Sequence, residues 1–468
     1  MSQTSNLVKQ LSSQLGKEVV LADAESIDAR RHDYWVLSHV RRRMGQLGDP
    51  PACVVRPTSA ADVAATLAVA REHRAAVVPY GAGSGVCGGV LAPAGSIVLD
   101  LSGMDRIVSL NETALSVTVQ AGMRGDVFEA ALGERGYTMG HFPQSIALST
   151  VGGWVATRAS GQFSTRYGNI EDMLIGFEGV LASGEIVRLP ASPRRSTGPD
   201  PSAIFLGSEG TLGVLTELTF RIHPQPDHRE MASFAFADMS AGLEAIRRVM
   251  RAGWRPAVLR LYDDVESARH FTADSNGRCM LLVLGEGPEA GVAAEARGVG
   301  AIMEESGGTP CGAGAVASWL EHRNAVPSWD QLLDQGIIAD TIEIAVPWDR
   351  AAGVYDDAVA KLKQIPGLLM ASGHSSHSYG QGTCLYLTLV AKLGELADAP
   401  ALYERCWDAV MDTTVTAGGT ISHHHGIGRV RRRWLARELG SAYAVLRTLK
   451  RAFDPDGILN PGVLLENG

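Results

Sequence analysis

The chain reads as an α+β protein built from two main domains. Two observations carry this reading. The first half strings short strand-like runs between glycine-rich turns, and from about residue 229 strands alternate with helices at lengths that suit an antiparallel sheet. The length of 468 residues agrees, because one domain per ~150 residues gives room for about three units.

Residues 1–48 read as a polar, helical lead-in, and DPPACVVRP (49–57) as an extended, proline-bounded entry. Ser59 and Asp62 have the spacing of a capping box, which predicts a helix with Val63, Leu67 and Ala70 on one face. A strand over 76–80, the loop Gly81 to Gly89 and a strand over 96–101 follow. A Rossmann fingerprint needs its glycines to open a helix, and Gly88, Gly89 and Pro93 forbid one here. The loop suits a nest of backbone N–H groups around an anion, which only small residues permit; a glycine turn without a ligand is the competing reading. Next come a strand over 116–122, a helix over 126–134, a second glycine-rich region over 149–184, and a small-residue turn leading into a β-rich run over 205–224. Beyond 229 the expected order is strand 231–236, helix 240–252, strand 280–285 and helix 290–305; the last 50 residues begin at a histidine cluster and end in a helix.

Composition removes several classes. With 42 Lys and Arg against 51 Asp and Glu the net charge is −9, without long like-charge runs, so the basic stripe needed to bind nucleic acid is missing. The longest uncharged stretch, Ala75 to Leu99, holds six glycines and two prolines and is no transmembrane helix. MSQTSNLVKQ lacks the pattern of a secretory signal, and the six cysteines include no C-x-x-C pair, so reduced thiols and a cytoplasmic location are expected.

Chemistry concentrates in few places. His374 and His377 stand in SGHSSHSYGQG, and His423, His424 and His425 are adjacent in ISHHHGIG. Three consecutive side chains cannot all face one way, so at most two should share a pocket. Metal ligation, proton transfer, anion binding and a structural cluster all remain open for them. Most of Arg429, Arg431, Arg432 and Arg433 are read as a solvated basic face, with room for one to hold an anion.

The Gly81–Gly89 loop, STVGGW (149–154), YGNIED (167–172) and GSEGTLGVLTE (207–217) together resemble the FAD-binding domain of the vanillyl-alcohol oxidase and p-cresol methylhydroxylase superfamily. The second half is similar to the FAD-linked oxidase C-terminal domain of that group, and RRSTGPD (194–200), VPWDR (346–350) and SHHHGIG (422–428) resemble the alkyldihydroxyacetonephosphate synthases. The resemblance implies a two-subdomain FAD-binding domain of p-cresol methylhydroxylase type over 49–228, an α+β cap over 229–415 that sets specificity, and a 416–468 segment returning to the flavin.

It further implies noncovalent FAD, since no histidine stands in the first glycine loop where bicovalent relatives carry one. Pro79, Gly81, Ala82, Gly83, Ser84, Gly85, Gly88 and Gly89 would take the pyrophosphate. Pro143, Ser149, Thr150, Gly152, Gly153, Thr157, Ala159, Ser160, Glu209, Thr211, Gly213 and Val214 would add contacts. His141, Tyr386, His423, His424 and His425 are the implied catalytic residues, with Arg260, Arg323, His374 and His377 on a small anionic or lipid-derived substrate. Tyr386 matches the general acid/base, and its pKa is expected to be lowered by cations among these neighbours.

The segment 266–284 is short where the eukaryotic synthases carry a cap insertion. The D-2-hydroxyacid dehydrogenases, the alternative reading, carry metal-ligating His and Glu where this chain has Tyr386 and His424, so no metal is expected. By family habit the expected assembly is a homodimer.

Overall fold

The computed structural model of the chain describes residues 3–465, which form three main sheets. In the first, Cys53–Val55 and Val77–Tyr80 flank Ile97–Asp100 in parallel register, and Val20–Leu21 adds an antiparallel edge. The helix Ala60–His73 carries the chain from Cys53–Val55 past Ile97–Asp100 to Val77–Tyr80, so all three strands run parallel. It starts at the predicted capping box: Ser59 Oγ accepts the Asp62 N–H while the Asp62 carboxylate accepts the Ser59 N–H. Val63, Leu67 and Ala70 are fully buried. The connection from Tyr80 to Ile97 contains no helix, as its glycines and Pro93 require.

The N-terminal segment departs from the expected polar lead-in. Its first helix, Gln3–Leu15, buries Leu7 and Leu11, one helical turn apart, in the core of the first sheet. Val20–Leu21 then joins that sheet, and the helix Val36–Arg43 buries Val36, Leu37 and Val40 in a different core, beneath the third sheet.

The second sheet is antiparallel and orders Ile107–Asn111, Ser116–Gln120, Val214–Arg221, Leu174–Val180 and Ile186–Leu189. The third holds seven antiparallel strands in the order Thr309–Gly312, His228–Phe236, Cys279–Gly287, Val258–Tyr262, Leu368–Ser378, Gly382–Lys392 and Ile337–Pro347. Side chains alternate across a strand. On one face Leu259, Leu261, Ile342, Ile344, Leu385 and Leu387 pack on the helices Met239–Arg251, Trp348–Lys363 and Ala399–Thr416. The alternate positions Arg260, Tyr262, Thr341, Tyr386 and Thr388 open on the other face into a cavity.

The described residues do not end in a helix. After Tyr443–Phe453 the chain turns back, and Leu459 pairs in parallel with Val77 while the Asn460 N–H donates to the Val77 carbonyl, so the first sheet gains a neighbour from the far end of the sequence. Among the described residues no helix is long and apolar enough to cross a membrane.

Candidate active site

A cavity of about 1080 Å³ lies between the glycine-rich loops and the polar face of the third sheet. Every glycine-loop, 143–160 and 209–214 position singled out from the sequence lines it except Gly88 and Thr211. A Cβ on Gly88 would press on the Trp35 ring, and the Thr211 hydroxyl donates to the Ser208 carbonyl, so these two serve packing.

Among the described residues the N–H groups of Ala82 to Val86 have no protein acceptor. Gly81 and Gly83 keep that stretch bare: a Cβ on Gly81 would collide with Thr150 Oγ1, and Gly83 adopts φ +69°. Unpartnered N–H groups along a loop of glycines and small side chains are the chemistry a pyrophosphate needs, and the volume admits a dinucleotide, so the residues present fit FAD.

The third sheet contributes a row of four side chains in register. Tyr262 is opposite His374, His374 opposite Tyr386, and Tyr386 opposite Glu343. The His374 and Tyr386 rings stack with centroids 4.8 Å apart. His374 Nδ1 lies 2.7 Å from Glu266 Oε2, and its Nε2 lies 2.6 Å from Arg260 Nη2. A guanidinium only donates, so Nε2 accepts and Nδ1 carries the proton to the carboxylate. Arg260 Nε donates to Tyr262 Oη at 2.6 Å, which fixes the fork at both ends. Glu266, Arg269, His270 and Phe271 line the same cavity, so the short 266–284 segment is part of its wall.

The histidine turn is held from below by Glu343, which the sequence reading missed. Glu343 and Arg431 are both fully buried and pair at 2.5 Å, so Arg431 belongs to the interior and not to a solvated basic face. Glu343 Oε1 also accepts the His425 N–H at 2.8 Å and the Ser422 hydroxyl at 3.2 Å, and Oε2 accepts the His423 N–H. With the turn so fixed, His424 lies parallel to Tyr386 at 6.0 Å and His425 meets it edge-on at 5.6 Å. These two, with His374 and His377, line the cavity. His423 does not; it bonds Tyr379 Oη through Nε2 at 2.6 Å and His424 Nδ1 through Nδ1 at 2.9 Å. Two of the three adjacent histidines, His424 and His425, share the pocket.

His141 lies outside as well. Its ring packs at 4.7 Å on Trp154, which itself lines the cavity, and both His141 nitrogens are buried without a partner.

Electrostatics correct one expectation. Burial holds His423 and His424 down to about 3 and His425 and His374 to about 4, so these imidazoles are neutral near pH 7. They are not cations that lower a phenol. Burial pushes the Tyr386 hydroxyl well above its usual value, only partly offset by the Thr341 hydroxyl, which donates to Tyr386 Oη at 2.9 Å. Burial would also raise Glu343, but Arg431 and the histidines hold it well below the carboxylate range. Ligating atoms of His377, His423 and His424, and of Glu343, Cys384 and His424, lie within 4.8 Å of one another. Much of this donor set is engaged already: His423 and His424 share a bond, and His377 Nδ1 lies 2.7 Å from Ser164 Oγ.

Asp33 and Tyr34, from the N-terminal segment, also reach the cavity, and Asp33 Oδ2 accepts the Gly89 N–H at 2.8 Å. Glu209 lines it while its carboxylate accepts the Ile427 and Gly428 N–H groups at 2.7 and 2.9 Å, tying the 209–214 turn to the histidine turn.

The chain matches the FAD linked oxidases, C-terminal domain, over residues 225–464, and an FAD binding domain over 51–190. It is 35% identical over 431 residues to the uncharacterized FAD-linked oxidoreductase YgcU of Escherichia coli (strain K12), covering 88% of this chain and 89% of that one. It is 29% identical over 477 residues to the alkyldihydroxyacetonephosphate synthase of Caenorhabditis elegans (93% and 80%), and 27% identical over 427 residues to the glycolate oxidase subunit GlcD of Bacillus subtilis (strain 168) (88% and 88%). A solved alkyldihydroxyacetonephosphate synthase superposes with a TM-score of 0.81 at 25% identity, over 98% of this chain and 84% of that one. For p-cresol methylhydroxylase the TM-score is 0.77 at 17% identity, over 98% and 96%, a likeness of fold. Because the two family matches between them take in both walls of the cavity, and YgcU aligns along nearly nine-tenths of each protein, the chain belongs to the FAD-linked oxidases and is a FAD-dependent enzyme.

Proposed function

We propose that the enzyme acts on a small anionic hydroxy or keto substrate in the manner of the alkyldihydroxyacetonephosphate synthases, with Tyr386 moving the proton. The observation that carries this reading is a pair of cavity arginines bonded only to neutral groups. Arg323 Nη1 donates to Gln162 Oε1 at 2.6 Å, and burial lowers its guanidinium to about 10. Arg260 donates to the Tyr262 hydroxyl and to neutral His374. Neither half-buried guanidinium has a carboxylate at ion-pair distance among the described residues, and the phosphate or carboxylate of a substrate would complete each through forked, charge-assisted bonds.

FAD, when bound, supplies an N5 that takes a hydride or a substrate carbon. The residues of the chain do the rest. Thr341 donates into Tyr386 Oη, which leaves the phenolic proton to point at the substrate. The phenol enters the reaction protonated; it gives that proton to the leaving oxygen and recovers one from the entering hydroxyl. Neutral His424 and His425 flank the phenol and stabilise charge as it develops. Residues 49–228 with the returning 416–468 segment serve as the FAD domain, 229–415 as the specificity cap and 1–48 as a strap joining them. FAD is held without a covalent bond.

The similarity to GlcD favours a second reading, a D-2-hydroxyacid dehydrogenase in which a neutral imidazole takes the hydroxyl proton. One experiment separates the two. The holoprotein is mixed anaerobically with glycolate, D-lactate and D-2-hydroxyglutarate, and separately with an acyl ester of dihydroxyacetone phosphate plus a long-chain alcohol. Exchange of ester for ether with no electron acceptor is the expected result. Rapid bleaching of the flavin by a hydroxy acid, with turnover that depends on an added acceptor, would overturn it in favour of the dehydrogenase.

A further inference from the structure

A second cavity, of about 420 Å³, lies against the strand end at Ser378 and Tyr379 and is lined by Ser164 and Tyr379. Between it and the main cavity stand groups that pass protons. His377 lines the main cavity and its Nδ1 lies 2.7 Å from Ser164 Oγ, so a single hydrogen bond joins the two spaces. A second chain runs beside it. His424, in the main cavity, bonds His423 through paired Nδ1 atoms at 2.9 Å, and His423 Nε2 bonds Tyr379 Oη at 2.6 Å. His423 lines neither cavity, so this linkage is what its ring is left to do.

We propose that the second cavity is a proton port: protons released or consumed at the histidines and Tyr386 of the main cavity exchange with solvent through His377 and Ser164 and through His424, His423 and Tyr379. Every member can relay. A neutral imidazole accepts at one ring nitrogen while it releases from the other, and a hydroxyl both donates and accepts. The need arises once a dinucleotide occupies the main cavity of about 1080 Å³ and displaces water from beside these groups.

The mouth of the port has a fitting charge. Arg166, Arg221 and Arg255 line the second cavity with no carboxylate at ion-pair distance among the described residues, beside Asp172. Their field disfavours hydronium and draws anionic bases, so the partner that carries the proton away is a buffer anion such as phosphate.

The inference rests on the reading that protons move at Tyr386 and the histidines, but its test needs no substrate. Reduction of bound FAD by two electrons takes up one proton. The holoprotein is reduced in a stopped flow by methyl viologen radical cation, a one-electron donor that gives up no proton, in weak buffer, and an indicator dye follows the proton. In the wild type, proton uptake keeps pace with flavin bleaching.

In the Ser164→Ala/Tyr379→Phe double variant, FAD content and bleaching amplitude stay the same, while proton uptake slows by roughly tenfold or more and millimolar imidazole restores it. Uptake as fast as in the wild type would overturn the port. Should the double variant lose FAD, the wild type itself decides through ring N–H exchange of ¹⁵N-labelled histidine. Exchange of the His377 and His423 protons with D₂O within milliseconds supports the port, and protection for minutes refutes it. A wrong substrate class would leave both measurements unchanged.

Discussion

Replacing Glu343 by glutamine probes the foundation of the histidine turn. The carboxylate is fully buried, neutralises fully buried Arg431, and uses both oxygens on backbone N–H groups, His425 on Oε1 and His423 on Oε2. An amide keeps the shape but removes the charge and turns one oxygen into a donor facing an N–H. Arg431 is left as a buried cation without a counter-ion, which costs about 3–5 kcal/mol; the lost backbone bond overlaps with this figure and is not added to it. Because m grows with size and a chain of 468 residues exceeds the ~1–3 kcal/mol/M of small proteins, an m of roughly 5 kcal/mol/M makes the urea midpoint fall by about 0.6–1 M. Adding Arg431→Met removes the stranded charge and should recover part of the loss. The pH dependence follows from the sign of the shift. The folded-state pKa of Glu343 is depressed, so its contribution is fully present above its unfolded value near 4.5 and is lost as pH falls through the folded value. The gap between wild type and variant should therefore be flat from about pH 8 to about pH 5 and close below about 4.5. An unchanged urea midpoint, or a double variant no more stable than Glu343→Gln, would refute the reasoning.

Three further outcomes follow from the cavity. Arg260→Lys should raise KM for an anionic substrate in steady-state assays, because a point ammonium cannot hold Tyr262 Oη, His374 Nε2 and an anion at once; an unchanged KM would remove Arg260 from substrate binding. Gly81→Ala should lower FAD content, read from the ratio of flavin to protein absorbance, since its Cβ meets Thr150 Oγ1 at the edge of the N–H cradle. Heat denaturation should leave the yellow colour in the supernatant, and a pellet that stays yellow would show a covalent flavin.

What could be read from the chain and what could not divide along a physical line. Glycine loops write their backbone requirement into the sequence, which is why Gly81 to Gly85 and the 149–160 region were found without a fold. The Ser59 and Asp62 cap is equally local. Gly88 shows the limit: the same residue type answers to a tryptophan 53 positions away, and no local signal tells the two uses apart. Arg431 reads as solvated among three other arginines because its partner lies 88 residues earlier. Glu343 in TIEIAVP looks like the water-facing position of an amphipathic strand, yet that face of the sheet is covered by the histidine turn and the cavity. The sequence implies cations among the histidines and arginines that lower the Tyr386 phenol; burial, which the sequence does not record, keeps the histidines neutral and raises the phenol against the pull of Arg260. Asp33 and Tyr34 went unnoticed for the same reason, since nothing near residue 33 points to Gly89.

The central claim is that Tyr386, set between His374 and the histidine turn that Glu343 anchors, moves a proton in the cavity, and Tyr386→Phe tests it most directly. The variant loses one hydroxyl and keeps the ring stacked on His374 at 4.8 Å. Flavin content and single-turnover rate are measured on the same sample. The account predicts a folded, yellow protein with one FAD per chain and a chemical step slowed by ~10² to 10⁴, the range of a positioned acid/base group. A Tyr386→Phe enzyme with lowered stability and a near-normal chemical step would contradict it, and would make the tyrosine a structural member of the sheet.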